Sequence, residues 1–169
     1  PGVVAGLLQL HETGGALPLE TVMATAIQYD REGFSLLPGE AQRHATVAEQ
    51  LAEFKGTRQY FLTADGTTLP AGTTLVQKDL ARVLTRIAQE GRKGFYEGET
   101  AKKIVEDVQA NGGILTLNDL KNYTVNTSRI VQGKYKGYDI YGLYLPSFGA
   151  ITIQMLQILD ALTLDVASD

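Results

Sequence analysis

Apolar residues along the first two thirds of the chain recur at helical spacing, and glycine punctuates them. Val3, Leu7, Leu8 and Leu10 predict a helix over 3–12, stopped by Gly14-Gly15, since glycine takes left-handed backbone without cost. Leu17-Pro18-Leu19-Glu20 opens a second helix, with proline tolerated in the first turn. Val22, Met23, Ala26 and Ile27 form its stripe and Gly33 ends it. Val47, Ala48, Leu51 and Phe54 predict a third helix over 39–55. Tyr60-Phe61-Leu62, followed by Ala64-Asp65-Gly66-Thr67, reads as a short extended piece and a turn. Leu80, Val83, Leu84, Ile87 and Ala88 then repeat at i, i+3, i+4, i+7, i+8 and stop at Gly91. Ala101, Ile104, Val105 and Val108 make another helix, ended by Gly112-Gly113. Thr116 starts a short one, with Asp119 three residues on as a looser relative of the capping box.

After Tyr123 the texture changes. Ile130-Val131-Gln132-Gly133, Tyr135 and Tyr138 to Tyr144 are β-branched and aromatic around Lys136-Gly137, which predicts a hairpin. Ile151, Ile153, Met155, Leu156, Ile158 and Leu159 make a last helix over about 150–162, apolar nearly all round and therefore expected to be buried. The predicted fold class is α+β: a mainly helical segment over 1–123, then a β-hairpin plus buried helix over 124–169.

Composition narrows the functional classes. With 169 residues, 44% apolar and 20% charged, the chain has the length of about one domain and enough apolar residues for a core. Net charge is −4, and the fifteen basic residues are scattered along the sequence, which argues against a nucleic-acid partner. No apolar run approaches the roughly 20 residues of a membrane span. Cysteine is absent, so disulfides, thiolate metal sites and a cysteine nucleophile are excluded. The chain opens Pro1-Gly2-Val3 and stops soon after the apolar stretch Ile158 to Leu162, so it reads as a piece of something longer.

Few residues invite chemistry. His11 and His44 have no histidine or cysteine nearby in sequence, so ordinary polar helix positions suit them better than metal ligation. The neighbouring carboxylates Glu97 with Glu99, and Glu106 with Asp107, read as solvated faces rather than an acid/base pair. Asp79 and Glu20 sit near helix starts, where they complement the dipole. The glycine pairs do not follow a strand and open a helix, so they are helix stops, not phosphate cradles. Asn122-Tyr123-Thr124 and Asn126-Thr127-Ser128 match the glycosylation acceptor pattern, which matters only in a eukaryotic secretory protein. Pro1 as an N-terminal catalytic amine is disfavoured by the helix-like segment that follows it. No metal, cofactor or catalytic residue is assigned.

Several segments together resemble the γ-glutamyltranspeptidase family. Pro1-Gly2-Val3-Val4-Ala5-Gly6-Leu7 with His11-Glu12 is similar to its "PG…AG…H" start, and Glu32-Gly33-Phe34 to its "EGF" step. Phe95-Tyr96-Glu97-Gly98-Glu99 with Ala101, then Asn111-Gly112-Gly113 through Leu120 and Tyr123, resemble "FY.GE.A…GG.LT..DL..Y". Tyr135 to Tyr141 resembles "Y.GY.VY", and Pro146-Ser147-Phe148-Gly149 with Gln154 to Leu159 resembles "PPSSGG…QMLNIL". The order and spacing carry the match, over nearly the whole chain.

The resemblance implies an N-terminal-nucleophile hydrolase fold (α/β/β/α) and a precursor that cleaves itself before a threonine. The freed threonine hydroxyl attacks a γ-glutamyl carbonyl, its own α-amine takes the proton, and the acyl group passes to water or to an amino-acid or peptide acceptor. By the same resemblance the partners are the remaining large-subunit segment, the small subunit and a γ-glutamyl substrate such as glutathione. No cofactor is implied, and the location is extracytoplasmic.

The match also has gaps. The family nucleophile lies in a Thr-Thr-His-type motif downstream, whereas Thr67-Thr68 and Thr73-Thr74 each precede leucine. The family arginine for the substrate carboxylate lies upstream of the "PG" start, and Arg31-Glu32-Gly33 is not that motif. The chain therefore corresponds to the latter part of the large subunit, with an empty list of site residues and no expected activity alone. Ser147-Phe148-Gly149-Ala150 replaces Ser-Ser-Gly-Gly. Either Phe148 fills core space, the favoured alternative, or it tunes substrate choice. A sister acylase (cephalosporin-type, or a poly-γ-glutamate depolymerase) and a non-enzymatic helical module stay open.

Overall fold

Buried aromatic and small residues, rather than an extended sheet, organise the structure, a computed structural model that describes residues 2–162. These divide after Thr124 into two compact units.

The first unit holds helices α1 (Gly2–Gly14), α2 (Leu19–Glu32), α3 (Pro38–Thr46), α4 (Ala48–Glu53) and α5 (Lys55–Phe61), followed by α6 (Lys78–Glu90), α7 (Lys93–Tyr96), α8 (Gly98–Ala110) and α9 (Leu117–Lys121). Two short strands, β1 (Phe34–Ser35) and β2 (Thr74–Leu75), pair antiparallel with Phe34 opposite Leu75. Helix α2 packs along α6, burying Ile27 from the first and Ala81, Ile87 and Ala88 from the second.

The main core joins segments far apart in sequence: Ala5 from α1, Tyr96 from α7, Ala101 and Val105 from α8, and Leu120 from α9. Tyr96 is only 1% exposed. Its hydroxyl accepts the Ala5 N–H at 2.9 Å across 91 residues of sequence. That N–H belongs to the fourth residue of α1, so the bond fastens the start of α1 to α7. Its ring stacks on Tyr123 (centroids 6.0 Å, planes within 9°) and meets Phe95 edge-on at 4.9 Å. The Arg92 guanidinium lies 4.4 Å from the Tyr96 ring centre and donates to the Tyr123 carbonyl. Small residues are required around this cluster, where a Cβ on Gly2 would come within 2.6 Å of the Tyr123 hydroxyl.

Several expected elements are present as expected. Gly91 (φ 58°) ends α6 and Gly112 (φ 84°) follows α8. Thr116 and Asp119 close a full reciprocal capping box on α9: the Thr116 hydroxyl accepts the Asp119 N–H at 3.2 Å, and the Asp119 carboxylate accepts the Thr116 N–H at 2.8 Å.

Other elements differ from expectation. The helix expected over 39–55 is broken at Val47 (φ −124°, ψ 24°), because Val47 bonds to the His44 carbonyl and Thr46 turns its hydroxyl onto the Arg43 carbonyl. Tyr60 and Phe61 are helical, not extended; α5 carries them, with the Thr57 hydroxyl tied to the Leu51 carbonyl at 2.6 Å. The turn after them is present, with Gly66 at φ 84° and Leu62 bridging to Thr68. The β1–β2 pair and α7 are too short to leave a periodic signal. Gly14-Gly15 ends α1 without left-handed backbone. Gly15 is needed there for proximity, since a Cβ would meet the His11 carbonyl at 2.5 Å.

The second unit is the predicted hairpin, β3 (Ile130–Tyr135) and β4 (Tyr138–Leu143), turning at Lys136 and Gly137, both at positive φ, with helix α10 (Gly149–Ala161) against it. Strand alternation puts Gly133, Ile140 and Gly142 on the less exposed face. A Cβ on Gly133 would run into Ile153. Contrary to expectation, α10 is not buried: only Ile153 is, while Ile151, Met155, Ile158 and Leu159 stay exposed. The hairpin covers one side of a helix that is apolar on several. Residues 163–169 and Pro1, including the N-terminal amine weighed above, lie outside the described residues.

Replacing Tyr96 by phenylalanine keeps the ring and removes the bond to the Ala5 N–H. Urea unfolding should show a loss of about 0.5–1.5 kcal/mol, the net worth of one hydrogen bond. Wild-type stability in Tyr96→Phe would mean that the bond is dispensable.

Candidate functional site

His11, on α1, points its Nε2 at the Leu17 carbonyl, 2.8 Å away, and so closes the α1–α2 connection. His44, on α3, lies against the Phe61 ring at 5.0 Å, and its Nδ1 is enclosed without a hydrogen-bond partner. Among the described residues no three metal-ligating side chains come together.

The carboxylates are partnered locally. Glu99 takes Arg86 at 2.6 Å and Lys103 at 2.9 Å. The hydrogen bond from Lys103 and the Arg86 charge hold its carboxyl below the usual range. Asp79 receives both the Tyr60 hydroxyl and Arg82. Asp119 is lowered by the Thr116 hydroxyl and N–H of its capping box. Glu97 precedes α8 in extended conformation, and Glu106 and Asp107 lie on its exposed face.

One grouping has the look of a nucleophile with a base. The Thr63 and Thr67 hydroxyls both donate to Asp65 in the turn after α5. Those two bonds push the Asp65 carboxyl down, which makes it a poorer base, since an effective one has a pKa near the working pH. The grouping is a turn lock.

Asp30 is different. It is 8% exposed, and burial raises its carboxyl above the ordinary value of 3.8. Its backbone carbonyl accepts the Gln77 N–H at 2.8 Å, tying α2 to the start of α6. Among the described residues its carboxylate has no ion pair.

The loop before α10 was the segment most open to a substrate-facing role. Ser147 N–H bonds to the Tyr144 carbonyl at 3.0 Å, the Leu145–Pro146 bond is cis, and the Phe148 carbonyl accepts Thr152 N–H to open the helix. Phe148 is 72% exposed, so the favoured expectation that it fills core space fails. The core position beside the hairpin is taken by Ile153. Gly142 and Gly149 allow the loop's close turn: a Cβ on Gly142 would lie 2.7 Å from the Gly149 Cα.

The basic residues, scattered in sequence, partly gather in the fold. Lys78, Arg82 and Arg86 stand at i, i+4, i+8 on α6; α2 brings Arg31 to a groove beside Arg82 and Arg86, and α8 brings Lys103 to a second groove beside the same two arginines. The i+4 spacing on α6 was the signal available in the sequence.

Among the described residues, therefore, no histidine or buried carboxylate sits on a hydroxyl as an activated nucleophile would require. The family-like motifs do something else. Ala5, Tyr96, Ala101 and Leu120, with Leu115 and Tyr123 packed around them, all come from those segments and build the main core.

The γ-glutamyltranspeptidase family model matches residues 1–169, and the chain belongs to that family. It is 35% identical over 158 residues to the capsule biosynthesis protein CapD proenzyme of Bacillus anthracis, covering 94% of this chain and 28% of that protein. It is 34% identical over 161 residues to the glutathione hydrolase proenzyme of Escherichia coli K12, covering 95% and 28%. The crystal structure of Helicobacter pylori γ-glutamyltranspeptidase superimposes with a TM-score of 0.91 at 32% identity, over 99% of this chain and 48% of that one. Cephalosporin acylase of Bacillus halodurans superimposes with a TM-score of 0.86 at 25% identity, over 97% and 32%. The chain thus spans little more than a quarter of the length of the two proenzymes.

Two outcomes follow. Asp30→Asn removes a carboxylate that the fold prefers neutral. The penalty is fully present above the raised folded pKa and vanishes below the unfolded value. Asp30→Asn should therefore melt higher than wild type near neutral pH, with the gap closing as the pH falls toward 3.8; a lower melting point at neutral pH would contradict this. Gly142→Ala forces backbone against backbone and should lose about 1–3 kcal/mol in urea unfolding, as overpacking does. An unchanged midpoint would show that the loop yields.

Proposed function

We propose that this chain is the latter part of the large subunit of a γ-glutamyltransferase that cleaves γ-glutamyl amides such as glutathione. The γ-glutamyl group passes to water or to an amino-acid or peptide acceptor. The observation that carries the reading is the family match over all 169 residues, together with the glutathione hydrolase likeness over 95% of them. The segment contributes scaffold, and the threonine nucleophile belongs to the part of the protein outside it. Residues 1–169 form a partial segment of one domain in this reading. The remaining large-subunit segment and the small subunit are its partners, without cofactor or nucleic acid, and the location is extracytoplasmic. Among the described residues no helix is long and apolar enough to cross a membrane. The chain alone is inactive: the hydroxyls and histidines described above form no nucleophile–base pair.

A second reading has its own support. The likenesses to the capsule protein proenzyme and to cephalosporin acylase favour a sister acylase on the same scaffold. The exposed Phe148, where the family motif has serine, is the residue by which the specificity would differ.

Hydrolysis of a chromogenic γ-glutamyl anilide separates these readings when the 169-residue chain is compared with the product of its complete gene. Activity only in the complete, self-cleaved protein is expected. Activity in the chain alone would overturn the assignment. Turnover of a cephalosporin side chain or of poly-γ-glutamate, with no anilide cleavage, would favour the sister acylase.

A further inference from the structure

The cations that α2 and α8 add to the basic row of α6 are only partly engaged by the ion pairs described above. An open groove of about 360 Å³ is lined by Arg31, Lys78, Arg82 and Arg86, with Ala81 and Thr85 as its floor. On the other side of Arg82 and Arg86 a second groove of about 300 Å³ adds Lys103. Five cations thus meet two carboxylates, Asp79 and Glu99, a local excess of three positive charges on a chain whose net charge is −4. Two of the cations stand idle: among the described residues Arg31 and Lys78 carry no ion pair and no hydrogen bond from their side chains. The basic stretch has an edge, because the next groove past Arg31 and Thr85 carries Glu20.

We propose that this face binds the carboxylates of an extended acidic polypeptide segment. The ion pairs already made there have that chemistry: Glu99 sits between Arg86 and Lys103, and Asp79 against Arg82. Guanidinium groups suit carboxylates because their planar fork of donors matches the two oxygens. From Lys78 to Arg86 the stripe runs about 12 Å at the helical rise, the length of roughly four extended residues. Alternate side chains of such a segment would face the groove, placing one carboxylate at Lys78 and Arg31 and another at Arg82. No aromatic ring lines either groove, so the base-stacking platform of a single-stranded nucleic-acid site is lacking. The inference does not rest on the γ-glutamyltransferase reading, since the face needs no catalytic residue.

The test uses the product of the complete gene and a fluorescein-labelled, N-acetylated, α-linked oligoglutamate of about ten residues, which offers no γ-glutamyl amide. Anisotropy should report saturable binding that weakens as salt screens the charges. Arg31→Glu with Lys78→Glu should weaken it roughly tenfold or more at an unchanged melting temperature, and Lys134→Glu, on the hairpin, should leave it intact. Arg31→Gln with Lys78→Gln provides the same comparison if charge reversal impairs folding. The proposal fails if no binding is seen, if the groove variants bind as wild type, or if a deoxythymidine oligomer of equal length binds more tightly.

Discussion

The first unit depends on how a single phenol is buried. Tyr96 is almost without solvent contact, and a buried hydroxyl without a partner costs more than a hydrogen bond usually returns. The N–H of Ala5, in the first turn of α1, supplies a partner for that oxygen. One bond therefore pins α1 to α7. Stacking on Tyr123 and the guanidinium of Arg92 then fix the chain that leaves α9. Glycine at position 2 and alanines at 5 and 101 follow from the same demand, because larger side chains would hold the helices off the ring.

The charges play a different part. Exposed ion pairs such as Arg82 with Asp79 are worth little individually, commonly under about 1 kcal/mol. Hydroxyls, N–H groups or cations hold the Asp65, Glu99 and Asp119 carboxyls low. Such groups shape turns, caps and surfaces, whereas acid/base catalysis calls for values moved toward neutrality. Among the described residues Asp30 alone moves upward, and it does so where its backbone joins α2 to α6. The unmatched positive charge on α6 is the feature that local structure does not account for.

The family resemblance can be placed in the fold. The segments that carry the family resemblance are those that pack: the "FY.GE.A" stretch supplies Tyr96 and Ala101, and the "LT..DL..Y" stretch supplies the α9 cap, Leu120 and Tyr123. Side chains that must fit one another leave a recognisable pattern even where they touch no substrate. Phe148 lies in another such segment yet projects into solvent.

Much was legible in the residues themselves. Periodicity and glycine stops located α1, α2, α6 and α8, and the Thr116–Asp119 spacing announced a cap. The β-branched and aromatic residues around Lys136-Gly137 announced the hairpin, for these are local effects set by a few neighbouring residues. Tertiary structure alone decided the rest. The break at Val47, the helical state of Tyr60 and Phe61, and the β1–β2 pair each turn on contacts or competing hydrogen bonds that periodicity does not encode. The exposure of α10 followed from what packs against it, not from its own composition. Five cations from three helices became one surface only when α2 and α8 were laid beside α6. Charge at a point in space sums over everything nearby, and nearness across a fold is not written in sequence spacing.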